Sequence, residues 1–274
     1  MALEMDCIAE IFFMNQAWTR REWIVLWLPP VLLLGLALTL NYTLPQFKRH
    51  FSLTDPEIAF PFAEKETVPS WALFLLSVAL PVVAISAATA LKRKGWWFWH
   101  NRMLEFVTVI AFTMFITDVV KVIVGRPRPD LISRCNPSPS AIGNTTTTAG
   151  VTLYSSDICT VETDTDKKRI KDGFKAFPSG HSSYTFAGMT FMGLVLEHLF
   201  TNPFHVLNLA YWMLVPWSIA TLVAVSRVDD YRHHWQDVVA GSLLGITMAY
   251  VFFKSSVRKP QNKADVVSNE LSTM

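Results

Sequence analysis

Charge is scarce in this sequence. Only 17% of its 274 residues are Asp, Glu, Lys or Arg, where about a quarter is usual for a soluble domain. Two stretches carry none at all: Thr67–Leu91, 25 residues, and His198–Ser226, 29 residues. About 20 helical residues cross a bilayer core of about 30 Å. The chain therefore reads as a multi-spanning membrane protein, and a soluble enzyme or a disordered protein is excluded. Cysteine is scarce too: three residues make at most one disulfide, which excludes a stapled secreted domain. The net charge of +2 offers nothing to a nucleic acid. There is no HExxH, no CxxC, no carboxylate cluster for two metals and no GxxxxGK[ST] loop. No apolar run alternates with period two, which excludes a membrane β-barrel.

What is present is a set of apolar runs. Six helical spans are expected, at Trp23–Leu40, Ser70–Leu91, Met103–Val124, Gly180–Leu199, Val206–Val225 and Trp235–Phe253. Backbone in lipid must satisfy its own hydrogen bonds, so each run should be helix, and the expected class is all-α. The first run is too long for a signal-peptide core and lacks a clear cleavage site, so it reads as an uncleaved span. Residues 1–22 are then an N-terminal segment, 23–253 the spanning domain, and 254–274 a polar, disordered tail. A long polar loop, 125–178, separates the third and fourth spans. A loop of that length is either functional or a small ordered unit.

Six spans put both termini on one side, read here as cytosolic. Basic residues do not decide the matter: ten fall on the terminal side and thirteen on the other, so the positive-inside count is not met. The sequons at Asn41 and Asn144 fall on the second side and require it to be lumenal for glycosylation. Cys135 and Cys159 lie in the same lumenal loop, where a disulfide is expected.

Three places put polar chemistry where lipid would forbid it, all at that second side. Lys121 ends the third span, and Arg128 follows seven residues later, two turns on if the helix continued. Gly125, Pro127 and Pro129 should stop the helix there. Pro178-Ser179-Gly180-His181 opens the fourth span. Free N–H groups at a helix start favour an anion, Gly180 permits close approach, and His181 titrates near neutral pH. Ser226-Arg227 and His233-His234-Trp235-Gln236-Asp237 link the last two spans. Asp237 is four residues from His233 and three from His234. A carboxylate behind an imidazole fixes its tautomer, but spacing alone does not choose the histidine. Each place has a bland reading: an interfacial lysine paired with Asp118, a serine cap, and a solvated polar turn.

Together the three match, in order and spacing, K-x6-R-P at Lys121 to Pro129, P-S-G-H at Pro178 to His181, and S-R-x5-H-x3-D at Ser226 to Asp237. This resembles the signature of the type 2 phosphatidic acid phosphatase superfamily. The flanking Gly-Arg-Pro-Arg-Pro-Asp and Asp-Tyr-Arg-His-His-Trp-Gln-Asp-Val are similar to the lipid phosphate phosphatase branch, in particular the fungal and plant diacylglycerol pyrophosphate phosphatases. The resemblance implies a six-helix transmembrane bundle with an acid phosphatase/vanadium-haloperoxidase-like core. It implies catalytic residues His233 (nucleophile), Asp237 (its orienting group) and His181 (acid, then base). It implies a phosphate clamp of Lys121, Arg128, Arg227, Ser179 and Gly180, with no metal or other cofactor. The implied substrates are membrane lipid phosphates, including diacylglycerol pyrophosphate and phosphatidate, in an endomembrane (vacuole, Golgi or endoplasmic reticulum) or the plasma membrane. The alternative is a non-catalytic lipid-phosphate-binding or scaffold relative. No oligomeric state is implied.

Overall fold

The structure is a computed structural model that describes residues 20–139, 145–148, 151–201 and 208–257. Asn144, residues 1–19 and the tail after Val257 lie outside the described residues. The chain is mostly helical. Helix α1 is Arg20–Thr43, α2 Ser70–Leu91, α3 Trp96–Val124, α6 Gly180–Phe200, α7 Asn208–Asp229 and α8 Trp235–Val257. The described residues of all six expected runs are helical; Val206 and Leu207 of the fifth lie outside the described residues, and most runs extend a few residues further at one end or both.

Four of these are long and apolar enough to cross a bilayer: Ser70–Leu91, Trp96–Val124, Leu209–Asp229 and Trp235–Ser256. Their outer faces expose large apolar side chains, among them Val83, Leu214, Leu222, Leu243 and Val251, which suits hydrocarbon as solvent. The chain is an integral membrane protein. The uninterrupted apolar part of α1, Ile24–Leu40, is shorter. Helix α6 owes its polar content to its position. From Gly180 to Val195 nearly every residue is buried, because α2, α3, α7 and α8 surround it. A helix enclosed by protein need not be apolar all round.

That enclosure depends on small residues. A Cβ at Gly245 would stand 2.3 Å from the Ser183 carbonyl oxygen and 2.7 Å from the Ala187 nitrogen. One at Gly241 would stand 2.5 Å from the Ser179 carbonyl oxygen. Gly241-x-x-x-Gly245 thus lets α8 touch the backbone of α6, as small-xxx-small pairs do between membrane helices. Gly188 does the same on the α2 side, where the Ser77 carbonyl oxygen would meet its Cβ at 2.1 Å. Around these contacts Phe106, Val109, Met189, Phe191, Val195 and Ala249 form the bundle core.

The 125–178 loop is an ordered unit. It holds α4 Leu131–Cys135, a hairpin of β1 Thr145–Thr148 and β2 Val151–Tyr154, and α5 Asp164–Gly173. The antiparallel register pairs Thr147 with Thr152, a small departure from the all-α expectation. Helix α5 is amphipathic and starts with a capping box in which Thr163 and Asp166 satisfy each other's backbone N–H groups. Its apolar face joins Phe51, Ile58, Leu131, Ile158 and Phe174 in a second core. A disulfide joins Cys135 to Cys159 beside that core. Segment 44–60 links this unit to the bundle: Phe51 bridges to Tyr154, and Phe47 N donates to the Val122 carbonyl.

Because Gly245 meets backbone, a side chain there should separate α8 from α6. We expect Gly245→Leu to lower the thermal unfolding temperature in detergent by the equivalent of about 1–3 kcal/mol. Gly35→Leu, where a Cβ meets nothing within 4 Å, should leave it unchanged. Equal unfolding temperatures for the two variants would contradict the packing described.

Candidate active site

The ends of four helices converge. The last turn of α3 brings Lys121, the start of α6 brings Ser179, Gly180 and His181, the end of α7 brings Arg227, and the start of α8 brings Asp237. His233 lies just before α8, and Arg128 comes from the loop after α3. Arg128 is therefore not on one helical face with Lys121. Helix α3 ends at Val124, with Gly125 in the left-handed conformation at φ 56°. A Cβ on Gly125 would stand 2.0 Å from the Phe47 carbonyl oxygen, so glycine is required there.

Lys121 is half-buried, and its ammonium makes no hydrogen bond or ion pair among the described residues. The charges that act on it are Asp118, Arg128 and Asp172. A Cβ on Gly180 would stand 2.9 Å from Lys121 Nζ, so the glycine of the second motif makes room for the lysine of the first. Ser179 caps α6: its Oγ accepts from Ser182 N at 3.4 Å and Ser182 Oγ at 3.0 Å. Arg128 is 8% exposed; its Nη2 donates to Asp172 at 3.0 Å, while its buried Nε has no partner among the described residues.

Arg227 is 1% exposed and held by three side chains. Nη1 donates to Glu66 at 2.9 Å, Nη2 to Asp230 at 2.8 Å, and Nε to Ser226 Oγ at 3.1 Å. The motif's serine thus holds its own arginine. Asp230 is fixed in turn by Thr67, which donates from N and Oγ1 at 2.9 and 2.7 Å.

The two histidines have defined tautomers. His233 Nδ1 lies 2.6 Å from the Ala176 carbonyl oxygen. A carbonyl only accepts, so the proton is on Nδ1 and the Nε2 lone pair is free. His181 Nε2 lies 3.1 Å from the Val68 carbonyl oxygen, so its proton is on Nε2. Lys121 and Arg128 act on both imidazoles.

Asp237 is placed differently from the spacing argument. Its Oδ2 is 3.9 Å from His233 Nδ1, beyond hydrogen-bond range. It accepts instead from the His234 backbone N–H at 2.9 Å and meets His234 Nδ1 at 3.2 Å. Its Oδ1 takes Arg126 Nη1 at 2.6 Å. The physical reason is that α8 starts at Trp235, so His233 precedes the helix and is not on its face. Asp237, in the first turn, reaches back to the N–H just before the helix, which is half of a capping box. Its backbone carbonyl also accepts from Ser179 N at 2.9 Å, tying the second motif to the third.

Sequence reasoning missed Glu66, Arg126, Asp172 and the carbonyls of Val68 and Ala176. Backbone acceptors leave no mark in a sequence. Arg126 and Asp172 stood among ordinary loop charges. Asn41 lies in the last turn of α1 and nothing is described of its side chain. Among the described residues no three His, Cys, Asp or Glu side chains gather as metal ligands.

Burial first, then the charges of Arg128 and Lys121, hold the His233 imidazole well below its ordinary range. An unfolded chain binds that proton near pH 6.5, roughly, and the folded chain does not. Stability from this group is therefore complete above that pH and falls as pH falls below it, by at most about 1.4 kcal/mol per unit. Thermal unfolding followed from about pH 7.5 to about pH 5 should fall less steeply for His233→Asn than for the unmodified protein. Identical slopes would show that His233 is not held neutral.

The PAP2 superfamily model matches residues 102–261. Lipid phosphate phosphatase 1 of Arabidopsis thaliana is 34% identical over 247 residues, 89% of this chain and 70% of that protein. Lipid phosphate phosphatase 2 of the same plant is 37% identical over 228 residues, 81% of this chain and 73% of that one. Diacylglycerol pyrophosphate phosphatase 1 of Saccharomyces cerevisiae is 34% identical over 235 residues, covering 83% and 78%. No solved structure matches significantly. With its three motifs drawn to one end of a helical bundle, the chain belongs to the PAP2 superfamily, alongside the lipid phosphate phosphatases of plants and fungi.

Proposed function

We propose that this protein is an integral-membrane lipid phosphate phosphatase that cleaves diacylglycerol pyrophosphate, phosphatidate and related lipid phosphates through a phosphohistidine. The observation that carries the reading is a neutral His233 with a free Nε2, under the charges of Arg128 and Lys121 and with its backbone N–H on the Arg227 carbonyl, at one end of the bundle. A phosphate dianion placed there meets preorganised positive charge in a partly dry site. Such charge gains value where negative charge builds up in the transition state.

In the first step His233 Nε2 attacks phosphorus, the N–P bond forms and the P–O bond to the leaving group breaks. The electron pair goes to the leaving oxygen, which takes the Nε2 proton of a His181 that the bound dianion has brought to its imidazolium form, leaving a neutral imidazole. In the second step His181 takes a proton from water, whose oxygen attacks phosphorus and breaks the N–P bond. Ser179 and the Gly180 backbone N–H complete the clamp around Lys121, Arg128 and Arg227. Asp237 acts at one remove: it fixes Arg126, His234 and the start of α8, and so the position of His233. The positive charge comes from side chains, and the reaction runs without a divalent metal.

The membrane reading is six spans, α1, α2, α3, α6, α7 and α8, with both termini cytosolic. The site then opens at the lumenal or extracellular surface of an endomembrane or the plasma membrane. There a headgroup enters while its acyl chains stay in the bilayer. The intact set Lys121, Arg128, His181, Arg227, His233 and Asp237 favours an enzyme over a non-catalytic scaffold.

Phosphate release by the detergent-solubilised protein, with EDTA present, tests this. Diacylglycerol pyrophosphate and phosphatidate should be hydrolysed and glucose 6-phosphate should not. His233→Ala should lose about 10³-fold or more of the rate, and His181→Ala about 10²- to 10⁴-fold. Full activity in His233→Ala, or activity abolished by EDTA, would overturn the mechanism.

A further inference from the structure

Segment 62–68 carries none of the three motifs, yet it is bound across the site. The Phe62 ring meets the guanidinium groups of Arg134, Arg169 and Arg232 at 4.7, 4.9 and 4.5 Å. The Ala63 carbonyl accepts from Arg232 Nη2 at 2.9 Å. Glu66 lies at the centre. Its Oε2 accepts from Arg227 at 2.9 Å, its Oε1 lies 3.3 Å from Arg232 Nη2, and Oε2 is 4.0 Å from His181 Nε2.

A carboxylate spanning two guanidiniums is how a protein holds an anion. Here it stands beside the histidine that faces the leaving oxygen. Arg227 belongs to the clamp and Arg232 does not. Arg232 is 6% exposed, and its buried Nε has no partner among the described residues. Glu66 is on an irregular loop and 30% of its side chain is exposed, so it has a route out to solvent.

We infer that Glu66 holds the place of a second phosphate group, and that Arg232 with Arg227 forms a subsite for the inner phosphate of a lipid diphosphate. This rests on the phosphatase reading and names the residues that would set substrate preference within it. When His233 attacks the terminal phosphorus of a diphosphate, the bond from that phosphorus to the bridging oxygen breaks. The electron pair stays on the bridging oxygen, which departs as part of a lipid monophosphate. A phosphate leaving group has a second pKa of about 6, so it needs positive charge more than a proton. An alkoxide leaving from a monoester is a far stronger base, close to hydroxide, so it needs the proton of His181. Arg232 therefore serves the diphosphate and is idle with the monoester. Glu66 competes with the inner phosphate for the same two arginines.

The test compares kcat/KM for diacylglycerol pyrophosphate and phosphatidate of identical acyl chains, on purified full-length protein in one detergent. Arg232→Gln should lower the diphosphate value about tenfold or more and change the phosphatidate value less than about threefold. Glu66→Gln should shift the ratio the other way, mainly through a lower KM for the diphosphate. Parallel loss on both lipids in Arg232→Gln, with thermal unfolding unchanged, would overturn the subsite. If Arg232→Gln does not fold, Glu66→Gln decides: an unchanged substrate ratio overturns the inference. Failure of the unmodified protein on both lipids would instead overturn the phosphatase reading, and the subsite with it.

Discussion

Concentrated positive charge in a nearly dry place is the constraint that the rest of this structure answers. Arg128 and Arg227 are buried at one end of a membrane bundle with the half-buried Lys121 beside them, and Arg134 and Arg232 lie close behind. Unpaired, such charges would cost several kcal/mol each. Carboxylates offset them one by one. Asp172 takes Arg128 and Arg134, Asp130 takes Arg134, and Glu66 and Asp230 take Arg227. Lys121 is the exception: its charge is met only at longer range, by Asp118 and Asp172. A site left in this state is complementary to an added dianion. Burial, and after it the same field, keeps His233 neutral, and a neutral imidazole is what a nucleophilic attack requires.

The scaffold exists to hold those charges in register. Helix α6 runs through the middle and presents its capped end to the site. Gly241 and Gly245 bring α8 against the backbone of α6, and Gly188 lets α2 approach as closely. The Ser179 N–H to the Asp237 carbonyl then locks the second motif to the third. The ordered loop unit supplies the other contacts: Gly173 and Ala176 hold Arg128 and His233 through their carbonyls, and Asp172 through its carboxylate. A bundle whose outer surface is solvated by lipid has few polar groups to spare, so the polar ones gather at this end.

Much of this was legible in the sequence, for physical reasons. A long uncharged run allows only helix in lipid, and every expected run is helical over its described residues. The stop at Gly125 followed from glycine's freedom at positive φ, and the cap at Ser179 from its hydroxyl at a helix start. The hidden parts were tertiary. Asp237 lies one turn from two histidines by number, and only the actual start of α8 shows that it binds the N–H of His234 and not the ring of His233. Glu66 stands over 100 residues from any motif it touches, and its meaning comes from folding alone. The two-stranded hairpin escaped because a run of threonines between turns reads equally well as loop.

The central claim is that His233 carries the phosphoryl group. Rapid acid-free quenching of the protein with terminally labelled diacylglycerol pyrophosphate, then mapping of the labelled peptide, tests it directly. The account predicts a base-stable, acid-labile phosphoryl group on the His233 peptide, at Nε2. Label on His234, on His181 or on no residue during active turnover would contradict it.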